Sequence, residues 1–275
     1  MNRISPRRWN SLVLTAAAIS LAGPVAAQIK PPTLPMPSWA APQPDAPLWQ
    51  VAEGGEGGEG GEAGAVADAA PDVAYLGQLA IVEGHLLAAR DLYAKGLVDE
   101  AIGLSYHPEA EMMDAVRDSL IAHDVPDITP AMQAFSAALE AGAALDVIEA
   151  KLADLHATIA AATAPAQGEL RVRFDAIVLL LKAAADEYEG SIEDGAVTDV
   201  MAYHEAHAFV QTAGLWLADL AKSDAAKMAA EKAIAALPSA EEAFGDMSGA
   251  ALKAGDASIL AALAARVELY ASAVH

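Results

Sequence analysis

The chain contains no cysteine. That removes disulfides, thiolate metal sites, covalent c-type haem attachment and a lipidated N-terminal cysteine in one step. Positive charge is also scarce: 16 Lys and Arg face 38 Asp and Glu, a formal charge of −22. Such a surface repels phosphate backbones and anionic head groups and concentrates cations, so nucleic acid is not expected as a partner. No stretch alternates with period two for long enough to argue for a sheet. The Gly-x-Ser-x-Gly elbow, the phosphate-binding Gly-x-x-x-x-Gly-Lys loop and the dinucleotide fingerprint are all missing, and a non-enzymatic role is expected. His204-Glu205-Ala206-His207 differs from the zinc-protease motif, which needs its histidines four apart and here has them three apart.

The residues that are present begin with an export signal. Arg3, Arg7 and Arg8 precede an apolar, alanine-rich run from Leu12 to Ala22, and Pro24-Val25-Ala26-Ala27 offers small residues for cleavage. The run is roughly half of the ~20 residues needed to span a bilayer, so a cleaved signal over residues 1–27 is expected and no transmembrane segment in the mature chain. Trp9-Asn10-Ser11 is a poor match to the residues usual after a twin-arginine pair, which favours general secretion. Without that segment the formal charge moves from −22 to −25, because it carries three arginines and no acid. The expected compartment is the periplasm, with full secretion as the alternative.

Residues 28–70 read as a disordered linker. Seven prolines lie between Pro31 and Pro47, and Glu-Gly-Gly repeats between Glu53 and Gly64. The first stretch suits a semi-stiff polyproline spacer and the second a charge-extended tether or weak cation sponge, with Trp39 and Trp49 as isolated anchors.

From Asp72 onward the apolar residues recur at spacings of three and four. Tyr75, Leu79, Val82, Leu86, Ala89 and Tyr93 make one stripe, and Leu170, Phe174, Ile177, Leu181, Ala185 and Tyr188 make another. Tyr203, Ala206, Val210, Ala213, Leu217 and Leu220 form a third. Met132, Phe135 and Leu139 begin a stripe that Leu145, Ile148, Leu152, Leu155 and Ile159 continue, and a last helix runs over 258–273. Breaks are expected at Gly96, His107-Pro108, Pro126 to Pro130, Pro165 to Gly168, Gly195, Pro238 and Gly255. Helices of this length with short connections predict an all-α, up-and-down antiparallel helical bundle over residues 71–275. The stretch Tyr93 to Glu111 can also be laid against Tyr188 to Ala208 as an internal duplication, with a gap of two residues.

Histidines beside carboxylates near buried faces carry the chemical interest. His85 lies in the row Gln78, Ile81, Ala88 and Leu92, beside the first stripe, with Glu83 as a supporting acid. His207 lies about 40° from the direction of Tyr203, Gln211 about 80° and His204 about 100°, at ~100° per residue. Histidines at i and i+3 can share one ion. In His107-Pro108-Glu109-Ala110-Glu111-Met112-Met113, Pro108 suits a first helical turn, with His107 ending the preceding helix and Glu109 pointing toward the interior of His85. The candidate metal ligands are therefore His85, His107, Glu109, Glu111, His204 and His207, supported by Glu83, Gln211, Met112 and Met113. Imidazole and carboxylate suit iron, zinc or manganese, whereas Met112 or Met113 would turn the site toward copper or a haem axial ligand. Set against this, inward histidines serve as hydrogen-bonded core residues, and acids after Pro108 serve as caps. His123, His156 and His275 read as surface or terminal.

An exported helical bundle with a proline-rich leader and histidine-carboxylate pairs resembles the imelysin-like periplasmic proteins associated with iron uptake. Their Gly-x-His-x-x-Glu sequence faces Glu83-Gly84-His85-Leu86-Leu87-Ala88 here, with no residue between glycine and histidine and alanine in the last position. No functional residue is carried over. The resemblance implies non-enzymatic metal or haem handling. Two roles are open: a module binding iron, zinc, copper or haem between helices, or a cofactor-free helical adaptor whose tether reaches an envelope protein partner.

Overall fold

The computed structural model describes residue 66 and residues 68–166, 168–244, 247 and 252–274. The signal segment, nearly all of the linker with Trp39, Trp49 and the Glu-Gly-Gly repeat, and His275 lie outside the described residues. The fold is an all-α, up-and-down antiparallel bundle. Among the described residues no helix is long and apolar enough to cross a membrane.

Helix α1 (Pro71–Ala94) begins with proline and Asp72 in its first turn, both suited to an N-terminus. A single apolar stripe predicts a helix with one wet face, but α1 is buried on every side from Tyr75 to Ala89. It is the central helix, packed by α2 (Val98–Glu111), α3 (Met113–Ala122), α5 (Leu145–Thr163), α6 (Leu170–Gly190) and α7 (Val200–Leu220). Gly77 and Gly84 permit this crowding: a Cβ on Gly77 would lie 3.0 Å from Leu179 Cδ2, and one on Gly84 would overlap the Phe209 ring. The linker's last residues are not clear of the core, since Val66 is buried and Ala69 packs against it.

Two helix boundaries differ from those that the sequence predicts. Pro108 sits inside α2, and the break falls at Met112, whose φ of −136° ends the helix. The stripe from Met132 to Ile159 is two helices, α4 (Thr129–Glu140) and α5, separated at Gly142, whose φ of +62° is the left-handed geometry of a helix C-terminus. Between α6 and α7 the chain forms a minimal antiparallel hairpin, Ile192 opposite Val197 and Glu193 opposite Ala196. Asp194 and Gly195 both have positive φ, as a type I′ turn requires. Asp199 then caps α7, its carboxylate accepting from the N–H groups of Met201 (2.9 Å) and Ala202 (3.1 Å).

After α7 come α8 (Lys227–Ala236), α9 (Glu241–Phe244) and α10 (Ser258–Ala271). Two core tyrosines tie the end of α9 to the bundle. Tyr188 donates to the Ala243 carbonyl (2.6 Å), and Tyr203 reaches the carbonyls of Phe244 and Lys253. Buried hydroxyls satisfied in this way keep aromatic bulk in the core without an orphaned polar group.

Candidate metal centre

Three helices meet at His85 of α1, His107 of α2 and Glu205 of α7. One ligand atom from each lies within 4.8 Å of the other two. His85 is nearly sealed from solvent, its side chain 1% exposed, and its Nδ1 lies 2.9 Å from the Ile81 carbonyl. A carbonyl can only accept, so Nδ1 carries a proton and Nε2 is the atom turned toward the site. A hydrogen bond of this kind fixes the tautomer and the ring orientation, as a ligating imidazole needs. His85 Nε2 is 2.7 Å from Glu205 Oε1, and His107 Nδ1 is 3.8 Å from the same oxygen.

Two further acids border the cluster. Glu111, half exposed at the end of α2, places one oxygen 3.8 Å from His85 Nε2 and the other 3.8 Å from His107 Nδ1. Glu187 of α6 feels the charges of Glu205, His85, Glu111 and Asp199. Burial first, and then Glu205, pushes the Glu187 carboxyl up to about 7. Burial alone would raise Glu205 as well, but His85 and His107 outweigh it and hold that carboxyl well below the usual range. His107 is raised: burial would lower it, but Glu205 and Glu111 together overcome that effect. Glu205 is therefore ionised over the whole physiological range, the state a metal ligand must be in.

The other residues singled out by sequence fall elsewhere. His204 and His207 project from a different face of α7. His204 is buried near Asp91 and Lys95, and burial, with Lys95 and His207, lowers it to about 4. His207 lies 3.7 Å from Glu241, its Nδ1 is 3.1 Å from Gln211 Nε2, and its ring meets Phe244 edge-on. Burial leads the lowering of its pKa, against the pull of Glu241 and Asp91. Glu109 turns from the two histidines toward Arg117, at 3.7 Å. Met112 caps α2, and Met113 is fully buried at the start of α3.

Glu83 projects from the side of α1 opposite His85, as a two-residue offset on a helix dictates. It accepts from Trp216 Nε1 (2.5 Å) and is bonded to His156 Nδ1, a buried acid gripped by α5 and α7. His156 is thus part of an internal network and not a free surface residue. His123 is likewise half-buried, stacked on Tyr75 with ring centroids 4.0 Å apart.

Glu205 and Glu187 are the residues that sequence reasoning passes over. A signal for Glu205 exists: no lysine or arginine stands three or four residues away on α7 to pair with it, and Phe209 and Thr212 share its row. Glu187 is partly buried between Asp186 and Glu189, which are exposed. The stretches proposed as a duplication do meet, His107 coming from the first and Glu205 from the second.

Residues 167–269 match the family model described as the iron permease-associated 4-helix bundle domain. The family indicated is thus not the imelysin-like one, although a helical bundle is common to both expectations. The matched segment holds α6 to α9 and most of α10 and so contains Glu205 and Glu187, whereas His85 and His107 precede it. No curated protein and no solved structure matches the chain.

Proposed function

We propose that this is an exported, non-enzymatic helical protein that binds one transition metal ion, iron before zinc or copper, through His85, His107 and Glu205. The convergence of their three ligand atoms within 4.8 Å carries the reading. Donors each about 2.0–2.2 Å from one ion are about 3.3–3.6 Å apart in a tetrahedral site, so small side-chain adjustments suffice. The hydrogen bond from His85 Nδ1 orients one ligand and the ionised state of Glu205 readies another, and metal binding demands both. Two imidazoles and one carboxylate form the donor set typical of non-haem ferrous sites. The name of the iron permease-associated domain supports iron in particular. Haem fits less well, because Glu205 already lies against His85 Nε2 at 2.7 Å and leaves no space for a porphyrin face there. Export rests on the N-terminal signal, and the non-enzymatic role on the want of a nucleophile or cofactor motif.

The test is elemental analysis of mature protein purified from its native compartment without chelators or a histidine-rich tag. About one equivalent of iron, lost in E205Q and H85A but retained in H204A/H207A, is the expected result. A metal-free protein that also fails to take up added Fe²⁺, Zn²⁺ or Cu²⁺ would overturn it.

A further inference from the structure

The three clustered ligands are packed by the bundle, but a fourth group beside them, the Glu111 carboxylate, is not. The side chains of His85, Glu205 and His107 are 1%, 5% and 24% exposed, whereas Glu111 is 52% exposed. Its two oxygens each sit 3.8 Å from a histidine nitrogen, Oε2 from His85 and Oε1 from His107. Neither distance is a hydrogen bond. The carboxylate therefore stands over both imidazoles from the solvent side without being fixed to either.

Glu111 also rides on the last turn of α2, just after a turn that proline weakens. Pro108 lies inside α2, one residue after His107, and has no N–H to offer the Leu104 carbonyl, which its ring also crowds. The helix ends one residue after Glu111, at Met112, whose N–H returns to the Pro108 carbonyl at 3.1 Å. That last turn has no helix beyond it to hold its carbonyls, and with an exposed side chain it frays at little cost.

We propose that Glu111 is a fourth, exchangeable ligand: it closes the site over a bound ion, and the ion enters and leaves past it. This rests on the metal-binding reading above. Each Glu111 oxygen is 3.8 Å from one imidazole nitrogen, so the side chain has to turn inward to bring a single oxygen within about 3.3–3.6 Å of both and share a tetrahedral ion with them. Opening the turn withdraws that one ligand while the other three stay in place, and the vacated position accepts an incoming oxygen or nitrogen donor. Such a site hands its ion on by ligand exchange and does not lock it away.

The experiment uses the full mature chain and Co²⁺ as probe, since its visible absorption reports ligand number. Wild type, E111Q, E111D and E205Q are titrated at equilibrium, and release into excess EDTA is followed by stopped flow. E205Q is expected to lose affinity by about a hundredfold or more. E111Q is expected to keep binding about tenfold more weakly, nearly all of it through faster release, with an altered Co²⁺ spectrum and partial recovery in E111D. Wild-type release and spectrum in E111Q, alongside lost binding in E205Q, would overturn the role of Glu111 and leave the site standing. Loss in E111Q as complete as in E205Q would make Glu111 a fixed ligand and overturn the exchange. Unimpaired binding in E205Q would overturn the metal reading itself.

Discussion

The approach of α1 to α7 at Gly84 sets the distance between His85 and Glu205, and G84A tests this directly. A Cβ there would lie 2.7 Å from Phe209 Cε1 and overlap Cδ1, where ordinary contacts begin near 3.4 Å. Phe209 is fully buried and its ring centroid is 5.4 Å from that of His85, so it cannot swing aside without disturbing the histidine. The helices must therefore separate locally by about 1 Å, an overpacking cost of about 1–3 kcal/mol. Alanine returns about 1 kcal/mol of helix propensity, leaving a net loss of about 0–2 kcal/mol. In a domain of this size that lowers Tm by only a few degrees, at about 2–4 °C per kcal/mol. The effect on the site is larger, because ligand distances tolerate only about 0.2 Å. Fe²⁺ or Zn²⁺ affinity, measured by chelator competition, should fall at least about tenfold. G77A is the control: its Cβ meets the flexible end of Leu179 at 3.0 Å, away from the ligands, and affinity should hold. Unchanged affinity in a folded G84A protein would refute the claim that this crossing positions His85.

Four further outcomes rest on the same geometry. Metal at one hundred times its Kd should stabilise the protein by about 2.7 kcal/mol and raise Tm by about 5–10 °C, an increase that a chelator removes; scanning calorimetry with no such shift would count against the site. Glu187, raised from 4.5 to about 7, keeps a proton in the folded state that the unfolded chain releases. Its stabilising effect is complete below about pH 4.5 and lost as pH rises through 7, so E187Q should gain up to about 2–3 kcal/mol over metal-free wild type between pH 5 and pH 8 in urea denaturation. E83A should lose about 3 kcal/mol, because it leaves His156 and the Trp216 N–H without their buried acceptor, and should shift tryptophan emission while metal affinity stays constant. Y203F should lose about 1–2 kcal/mol by stranding the Phe244 and Lys253 carbonyls, seen as faster amide exchange near the end of α9.

Periodicity made the fold class legible because each helix of a bundle must present apolar residues every three or four positions. It could not reveal that α1 is enclosed, since a stripe records the most apolar face and is silent about Gly77, Gln78, Glu83 and Gly84, which are buried for reasons of size or pairing. Punctuation misled at the end of α2. Pro108 was tolerated within α2, and the break came at Met112, which carries no turn signal of its own.

The same assumption of one buried face explains which part of the site was hidden. On α7 the strongest stripe runs through Tyr203, Ala206 and Val210, and measuring angles from it favours His207 and His204. The helix is in fact buried on a second side, along Glu205, Phe209 and Thr212, where it crosses α1 at Gly84. An acid one residue from a histidine points about 100° away from it, so reading the pair as one unit gives the wrong ligand. His85 and Glu83 repeat the case on α1, one facing Glu205 and the other His156 and Trp216. For buried polar groups in a multi-layer bundle, the residue type most expensive to leave unpaired is the better guide: an acid with no basic neighbour along its own helix must find its partner on another.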